Sequence, residues 1–439
     1  MKKRFMLLTL VVLLVVLAMT AMACGSSSTT TTTAAAATDT TAAVTQTTTA
    51  AASTDTTAAV STDTTVAAGP ATGDPINIGV MASQTGAFSS AWPMVNQGMQ
   101  VALEEINNNG GVNGRPLALK IVDDKSDPTV AVSAMTKMIT QDKVPIILGS
   151  MAPPAGAAMM AQADKYKVVQ LRDVPTLKEA ATVQPYVFFE GENSKNIAGC
   201  LVQQIQASGW KNILGIGDQI PLCQDILSLL KDQVGPVGAK ITVMPDSWAP
   251  DITDVTPIVN KIWAEYQSVK PDVLFLMATN DCVPIIKALK QKGLNIPIQC
   301  PPAAIMPALF NMGKDVVEGL YVLGPGITDP SQLSSDFAGL DTIKKFNDDF
   351  KAKFNDQPSL FAADGADHIL LTAEALRQAG TVDDTTKIHD AMESLKDFPG
   401  VQGAFTFTAD NHVGLNGTLC EWQVKDGAYT LVSVLTPTK

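Results

Sequence analysis

Residues 76–88 read INIGVMASQTGAF, residues 102–124 read ALEEINNNGGVNGRPLALKIVDD, and residues 127–150 read DPTVAVSAMTKMITQDKVPIILGS. Ile76, Ile78 and Val80 open a short apolar run that Ser83-Gln84-Thr85-Gly86 closes, the pattern of a buried strand ending in a polar turn. Val95, Met99, Ala102, Leu103 and Ile106 then recur at helical spacing, and Asn109-Gly110-Gly111 stops that helix. Leu117, Leu119 and Ile121 alternate as a strand up to Asp123-Asp124. Asp127-Pro128 supplies an N-cap followed by proline at the first helical position, so a second helix starts there. Residues 144–148 form a third apolar run. Strand and helix alternating at this spacing predict a right-handed parallel βαβαβ unit. Ligands of such sheets collect outside the carboxyl ends of the strands. Residues 83–86, Asp123-Asp124 and Ser150 onward therefore face a common crevice.

The rest of the chain bounds the answer. Its 439 residues leave room for two or three domains, and 46% hydrophobic with 17% charged residues gives a globular body with a substantial core. The net charge is −12 and becomes more acidic once a leader carrying Lys2, Lys3 and Arg4 is removed, which disfavours nucleic acid as a partner. Residues 1–23 read as a signal peptide, with a basic start and an apolar stretch over 5–17. Ala21-Met22-Ala23-Cys24 resembles a bacterial lipobox in which Cys24 is lipidated, although Ala21 stands where leucine is usual. Residues 24–74 are almost entirely Thr, Ala, Ser and Asp, too poor in apolar bulk to offset ordering entropy, and read as a disordered tether with a reach of about 40 Å. Of the remaining cysteines, Cys282 and Cys300 follow strands of one sheet and are the favoured disulfide in an exported chain, with Cys200–Cys223 as a second pair. No CxxC, HExxH, GxSxG or Walker sequence occurs, so neither a metal site nor a catalytic one is expected. His368 and His389 read as packing or surface residues and His412 as part of a turn.

Beyond residue 150, helices are expected over 154–166 and 193–208, and strands over 168–171, 186–189 and 211–217. The alternation then starts again: helices over 220–230, 252–266 and 282–290, strands over 241–244, 273–277 and 296–299, and a further strand over 319–323. Three helical stretches follow at 337–354, 361–378 and 387–395, without strands between them, as if the chain returned to cover the first unit. The tail alternates as strands over 403–408, 418–424 and 428–434. Asn416-Gly417 and Asp426-Gly427 are hairpin signals there, and the tail is expected to add an antiparallel edge to the second unit.

Residues 76–88, 97–132 and 144–150, with PDVLFLMATND (271–281), IKALKQKGLNIPI (286–298), VEGLYVLGP (317–325) and residues 344–367, closely resemble the type I periplasmic solute-binding proteins of ABC importers, in their branched-chain amino acid (Leu/Ile/Val-binding) branch. The resemblance covers about residues 75–435. It implies an α/β fold of two doubly wound lobes joined by a three-segment hinge. Lobe 1 would be residues 75–190 plus 326–398, and lobe 2 residues 191–325 plus 399–439. The crossings would lie near Glu190-Gly191, Gly324-Pro325 and Phe398 to Gly400. It implies no enzyme and no cofactor, but a monomeric lipoprotein that closes on a small polar solute and passes it to a permease and its ATPase. The alternative is a sensor of the same fold acting through a signalling partner. The implied ligand-binding residues are Trp92 as a lid, Ser150 and Ala152 after the third strand, Val174 and Thr176 after the fourth, and Leu222 and Thr279 in the second lobe. Arg172 is a candidate counter-charge for an anionic group, or else a local pair with Asp173 or a solvated rim residue. The family's pattern fails at two points. Pro153 stands where a serine would meet the ligand carboxylate, and Pro302 stands where an acidic residue would pair its ammonium group. Asp281, or Asp173 across the cleft, is a candidate substitute.

Overall fold

The computed structural model describes residues 69–436 except 251, 280 and 416. The leader, Cys24 and nearly all of the tether lie outside the described residues. Among the described residues, no helix is long and apolar enough to cross a membrane.

The first sheet is built from β1 (Ile76–Ala82), α1 (Trp92–Asn108), β2 (Leu117–Asp123), α2 (Pro128–Thr140), β3 (Ile146–Gly149), α3 (Pro153–Tyr166), β4 (Val169–Arg172), α4 (Leu177–Ala180) and β5 (Val187–Phe189). Its strands are all parallel, in the order β2-β1-β3-β4-β5. The Asp127 carboxylate caps α2 by accepting the N–H groups of Thr129 at 2.8 Å and Val130 at 2.9 Å, as its place before proline predicts. The chain then crosses to α5 (Ser194–Ser208), β6 (Asn212–Gly217), α6 (Pro221–Gln233), β7 (Lys240–Val243), α7 (Thr256–Val269), β8 (Val273–Met277), α8 (Cys282–Gln291) and β9 (Ile298–Cys300). Two single-turn helices, α9 (Pro307–Phe310) and α10 (Lys314–Val317), lead to β10 (Tyr321–Gly324). The helices α11 (Leu340–Phe354), α12 (Leu360–Ala379) and α13 (Thr385–Glu393) bury Ile343, Phe346, Ile369 and Met392 in the core of the first sheet. The helical run thus returns to the first unit, as expected from the absence of strands within it.

The tail departs from expectation. Only β13 (Leu419–Lys425) and β14 (Ala428–Leu435) join the second sheet, whose order is β14-β13-β10-β9-β8-β6-β7, with β13 antiparallel to both neighbours. The Asp426-Gly427 turn between them has positive φ at both residues (53° and 78°), as the hairpin signal required. The expected strand at 403–408 contracts to β12 (Ala404–Phe405), which pairs only with β11 (Phe398–Pro399). Phe405, Phe407 and Leu415 are buried in the core of the first sheet, and Val413 bridges Phe189 at the end of β5. Residues of the 401–415 stretch therefore pack with the first sheet, although the expected second lobe takes the chain from 399 onward. The Asn416-Gly417 signal falls on Asn416, which lies outside the described residues; the strands before and after it, β12 and β13, belong to different sheets. Alternation marks a strand but carries no information about which sheet takes it.

The expected disulfides are also absent. Cys200, Cys223, Cys282, Cys300 and Cys420 are all buried as free thiols. Cys200 packs toward the carbonyls of Gly417 and Leu435, while Cys223 sits one helix away beside Asp218. Each is held by apolar packing and needs no bridge.

The closest approach in the first unit is the crossing of α1 and α12. A β-carbon on Gly98 would lie 1.8 Å from the Ala362 carbonyl oxygen, and one on Gly365 would lie 2.1 Å from that of Val95. Both obstacles are backbone, so neither can rotate away. Gly365→Ala is expected to destabilise the fold by about 2–3 kcal/mol, the range for overpacked cores, read as a lower urea midpoint at unchanged slope.

Candidate functional site

Strand ends from both sheets enclose a cavity of about 110 Å³. From the first sheet, Phe88 and Ala91 reach it from the loop after β1, Met151 and Pro153 from the loop after β3, and residues 173–176 from the loop after β4. From the second, Ile220, Leu222, Thr279 and Pro301 to Ala303 reach it from the loops after β6, β8 and β9. Leu360, Phe361 and Asp364 come from the first turns of α12, Glu192 from the first crossing, and Gln402 from the loop before β12. The position follows the rule that parallel sheets present their carboxyl edges to ligands. Across the rim, the N–H of Leu177 donates to the Asp225 carboxylate at 3.0 Å, a direct bond between α4 of the first unit and α6 of the second.

Four of the eight residues expected from sequence line this cavity: Val174, Thr176, Leu222 and Thr279. The other four do not. Trp92 is 9% exposed and packs in the core of the first sheet, because α1 begins at that residue and turns its side chain inward; Phe88 and Ala91 take its place. Ser150 is fully buried, sharing a hydrogen bond with the Ser83 hydroxyl at 3.2 Å and accepting the Ala152 N–H at 3.1 Å. Ser83 in turn donates to Asp124 at 3.0 Å, so this polar chain ties three strand ends together beneath the cleft. Ala152 is fully buried as the N-cap residue of α3. Arg172 is 1% exposed and turned away from the cleft, with its guanidinium 2.7 Å from Glu179 and 5.1 Å from the centre of the Phe189 ring. It is a local ion pair, but with Glu179 rather than Asp173. Burial raises the Glu179 carboxyl, yet the charge and hydrogen bonds of Arg172 outweigh this and hold it below its ordinary value. Asp281 does not substitute for the missing acid either. It accepts the indole N–H of Trp248 at 3.0 Å and is buried.

Two threonines are turned to structural use. Thr176 caps α4 by accepting the Glu179 N–H at 3.2 Å, with the Glu179 carboxylate accepting the Thr176 N–H in return at 2.8 Å. Thr279 donates its hydroxyl to Asp218 at 3.0 Å, and Asp218 also accepts the N–H groups of Thr279 and Ile220.

The sequence reading missed most of the charge. Asp173, Glu192 and Asp364 all line the cavity, and no Lys, Arg or His does. Burial pushes Glu192 up to about 8 and Asp173 up to about 6, the latter restrained by Arg172. Asp364 is raised well above the ordinary carboxyl value by burial and by the negative charges of Asp173, Glu192 and Asp367. Behind the wall, the Gln402 amide donates to Glu190 at 2.5 Å, and Asp367 accepts the N–H groups of Val401 at 2.6 Å and Gln402 at 2.9 Å. Burial raises Asp367 to about 7 and, with neighbouring acids, raises Glu190 as well; it pushes the His368 imidazole down to about 3. Only tertiary proximity assembles these acids from residues 173, 192 and 364.

On the far flank, His389, Glu393 and His412 bring ligand-type atoms within 4.8 Å of one another. His412 faces the Glu393 carboxylate at 3.2 Å through Nε2 and two backbone carbonyls through Nδ1. Of the described residues these three have the geometry to hold a metal ion, and they lie away from the cleft.

The buried acids set a pH dependence. A carboxyl whose folded pKa is raised keeps its proton longer when folded than when unfolded, so stability falls as pH rises between the two values. For Glu192 that window runs from 4.5 to about 8. The melting temperature of the solute-free protein is expected to fall across it, and Glu192→Gln is expected to shallow the slope in a pH series of thermal melts.

Comparison with known proteins agrees with this geometry. A family model described as periplasmic binding protein matches residues 75–428. A leucine-, isoleucine-, valine-, threonine- and alanine-binding protein of Pseudomonas aeruginosa is 23% identical over 329 residues, 73% of this chain and 83% of that one. The substrate-binding protein LivJ of Streptococcus pneumoniae, solved in complex with isoleucine, superposes with a TM-score of 0.72 at 22% identity, covering 83% of this chain and all (100%) of LivJ. A solute-binding protein from R. palustris in complex with benzoate superposes at 0.69 with 19% identity, covering 83% and 97%. The chain belongs to the periplasmic binding protein family and has its two-lobed type I fold.

Proposed function

We propose that this chain is the extracytoplasmic solute receptor of an ABC importer, holding an amino acid or a related small polar molecule in the cleft and passing it to a permease and ATPase. One observation carries the reading: the cavity is walled by strand ends of both sheets and spanned at its rim by the Leu177–Asp225 hydrogen bond. A solute touching both walls stabilises the closed arrangement by its differential contacts, which is how a receptor reports occupancy. The Pseudomonas relative binds leucine, isoleucine, valine, threonine and alanine by name, in keeping with such a role. The basic, apolar leader and Cys24 support export and a lipid anchor on the outer face of the cell membrane, with residues 25–74 as the tether. Val174, Thr176, Leu222 and Thr279 are the ligand-facing residues that the sequence and the cavity share.

Thermal shift with a panel of amino acids, amines, amides, ureas and aromatic acids tests this reading. One class is expected to raise the melting temperature without being consumed; no shift from any class would count against a receptor. Leu222→Trp is expected to abolish the shift by filling the cavity. Asp225→Ala is expected to weaken affinity roughly tenfold, in line with loss of one charge-assisted hydrogen bond, with the solute-free fold retained by circular dichroism.

A further inference from the structure

We propose that the cleft takes an organic cation, an alkyl amine or diamine without a carboxylate, held by Asp173, Glu192 and Asp364. This assignment rests on the solute-receptor reading and narrows its substrate class.

The first support is charge. Three carboxyl groups line the cavity and no basic side chain does. Glu192 is 3% exposed, and its Oε1 has no hydrogen-bond partner among the described residues. Asp364 is 5% exposed and within electrostatic reach of both Asp173 and Glu192. Ionised carboxylates buried together without a counter-charge are costly, and an ammonium group between them removes that cost. The nearest guanidinium, Arg172, does not line the cavity and is ion-paired with Glu179; its charge lowers Asp173 only in part.

The second support is the shortage of donors for an anion. A solute carboxylate is ordinarily met by backbone N–H groups at helix N-termini. Here Pro153 and Pro221 are the first residues of α3 and α6, and Pro175, Pro301 and Pro302 also line the wall. Proline has no N–H, so the wall presents ring carbons where a carboxylate would need donors. The Thr279 hydroxyl proton is already given to Asp218. The remaining wall, including Phe88, Leu222 and Phe361, suits the methylene body of an amine.

The same geometry couples binding to protons. Asp173, Glu192 and Asp364 face the cavity, with Glu190 and Asp367 behind them, His368 neutral through burial, and Arg172 neutralised by Glu179. With Asp173 near 6 and Glu192 near 8, a cation entering at neutral pH displaces protons from the acids. Affinity for a cation therefore rises with pH across that range.

The test is calorimetric titration of the full chain with butylamine, 1,4-diaminobutane, L-leucine and butyrate. At least one amine is expected to bind, at least tenfold more tightly at about pH 8 than at about pH 6, with net proton release measured in buffers of different ionisation enthalpy. Glu192→Gln and Asp364→Asn are each expected to weaken amine binding at least tenfold while their thermal transitions stay cooperative. Binding of L-leucine or butyrate as tight as that of the amines overturns the cation assignment and leaves the receptor reading standing. Absence of binding by these four and by the wider solute panel overturns both. Amine binding that neither variant weakens removes the carboxyl cluster from the site and overturns the assignment.

Discussion

The crossing of α1 and α12 is the constraint on which the rest of the first unit depends. It joins residues far apart in sequence at backbone contact, with Gly98 against Ala362 and Gly365 against Val95. Only glycine at these positions lets the helices approach so closely. The approach returns residues 360–379 to the first sheet after the chain has built the second, and so fixes the register of α12. Asp364, the residue before Gly365, then lies at the cleft, and Asp367 lies one turn beyond to receive the backbone of Val401 and Gln402. A packing requirement thus places an acid in the site.

From that placement the electrostatics follow. Glu192 arrives on the first crossing between the sheets and Asp173 at the end of β4. Each is unremarkable alone, and together with Asp364 they crowd negative charge into a small, largely apolar space. Burial then raises all three, with the charge of Arg172 offsetting only part of the rise at Asp173. Arg172 shows the contrasting case. Its partner Glu179 is part of the α4 capping box, so the pair serves local structure and leaves the cleft without a cation.

Elements whose signal is local were legible in sequence. The Asp127-Pro128 helix start, the Asp426-Gly427 hairpin and the β1 strand each depend on neighbours in the chain, and each was found where expected. Val174, Thr176, Leu222 and Thr279 come from the family resemblance, and all four line the cavity. Trp92 was misread because the position of a side chain at a helix start depends on where the first turn begins; one turn earlier, Phe88 reaches the cleft instead. The tail was misread because strand alternation does not name the sheet. The cysteine pairs failed because spacing along the chain says little about where each thiol points once its helix or strand is packed.

The sequence by itself determined the family, the two α/β units, the return of the late helices to the first unit and the loops that border the cleft. The family follows from the resemblance of its motifs, and the rest from periodicity, caps and the handedness of parallel connections, all written in short stretches of chain. The tertiary structure alone decided which charges share the cavity, which sheet the 401–415 stretch packs with and which prolines replace N–H donors on the wall. Those depend on packing between segments separated by up to hundreds of residues, and the energy of a buried charge is set by what surrounds it in space.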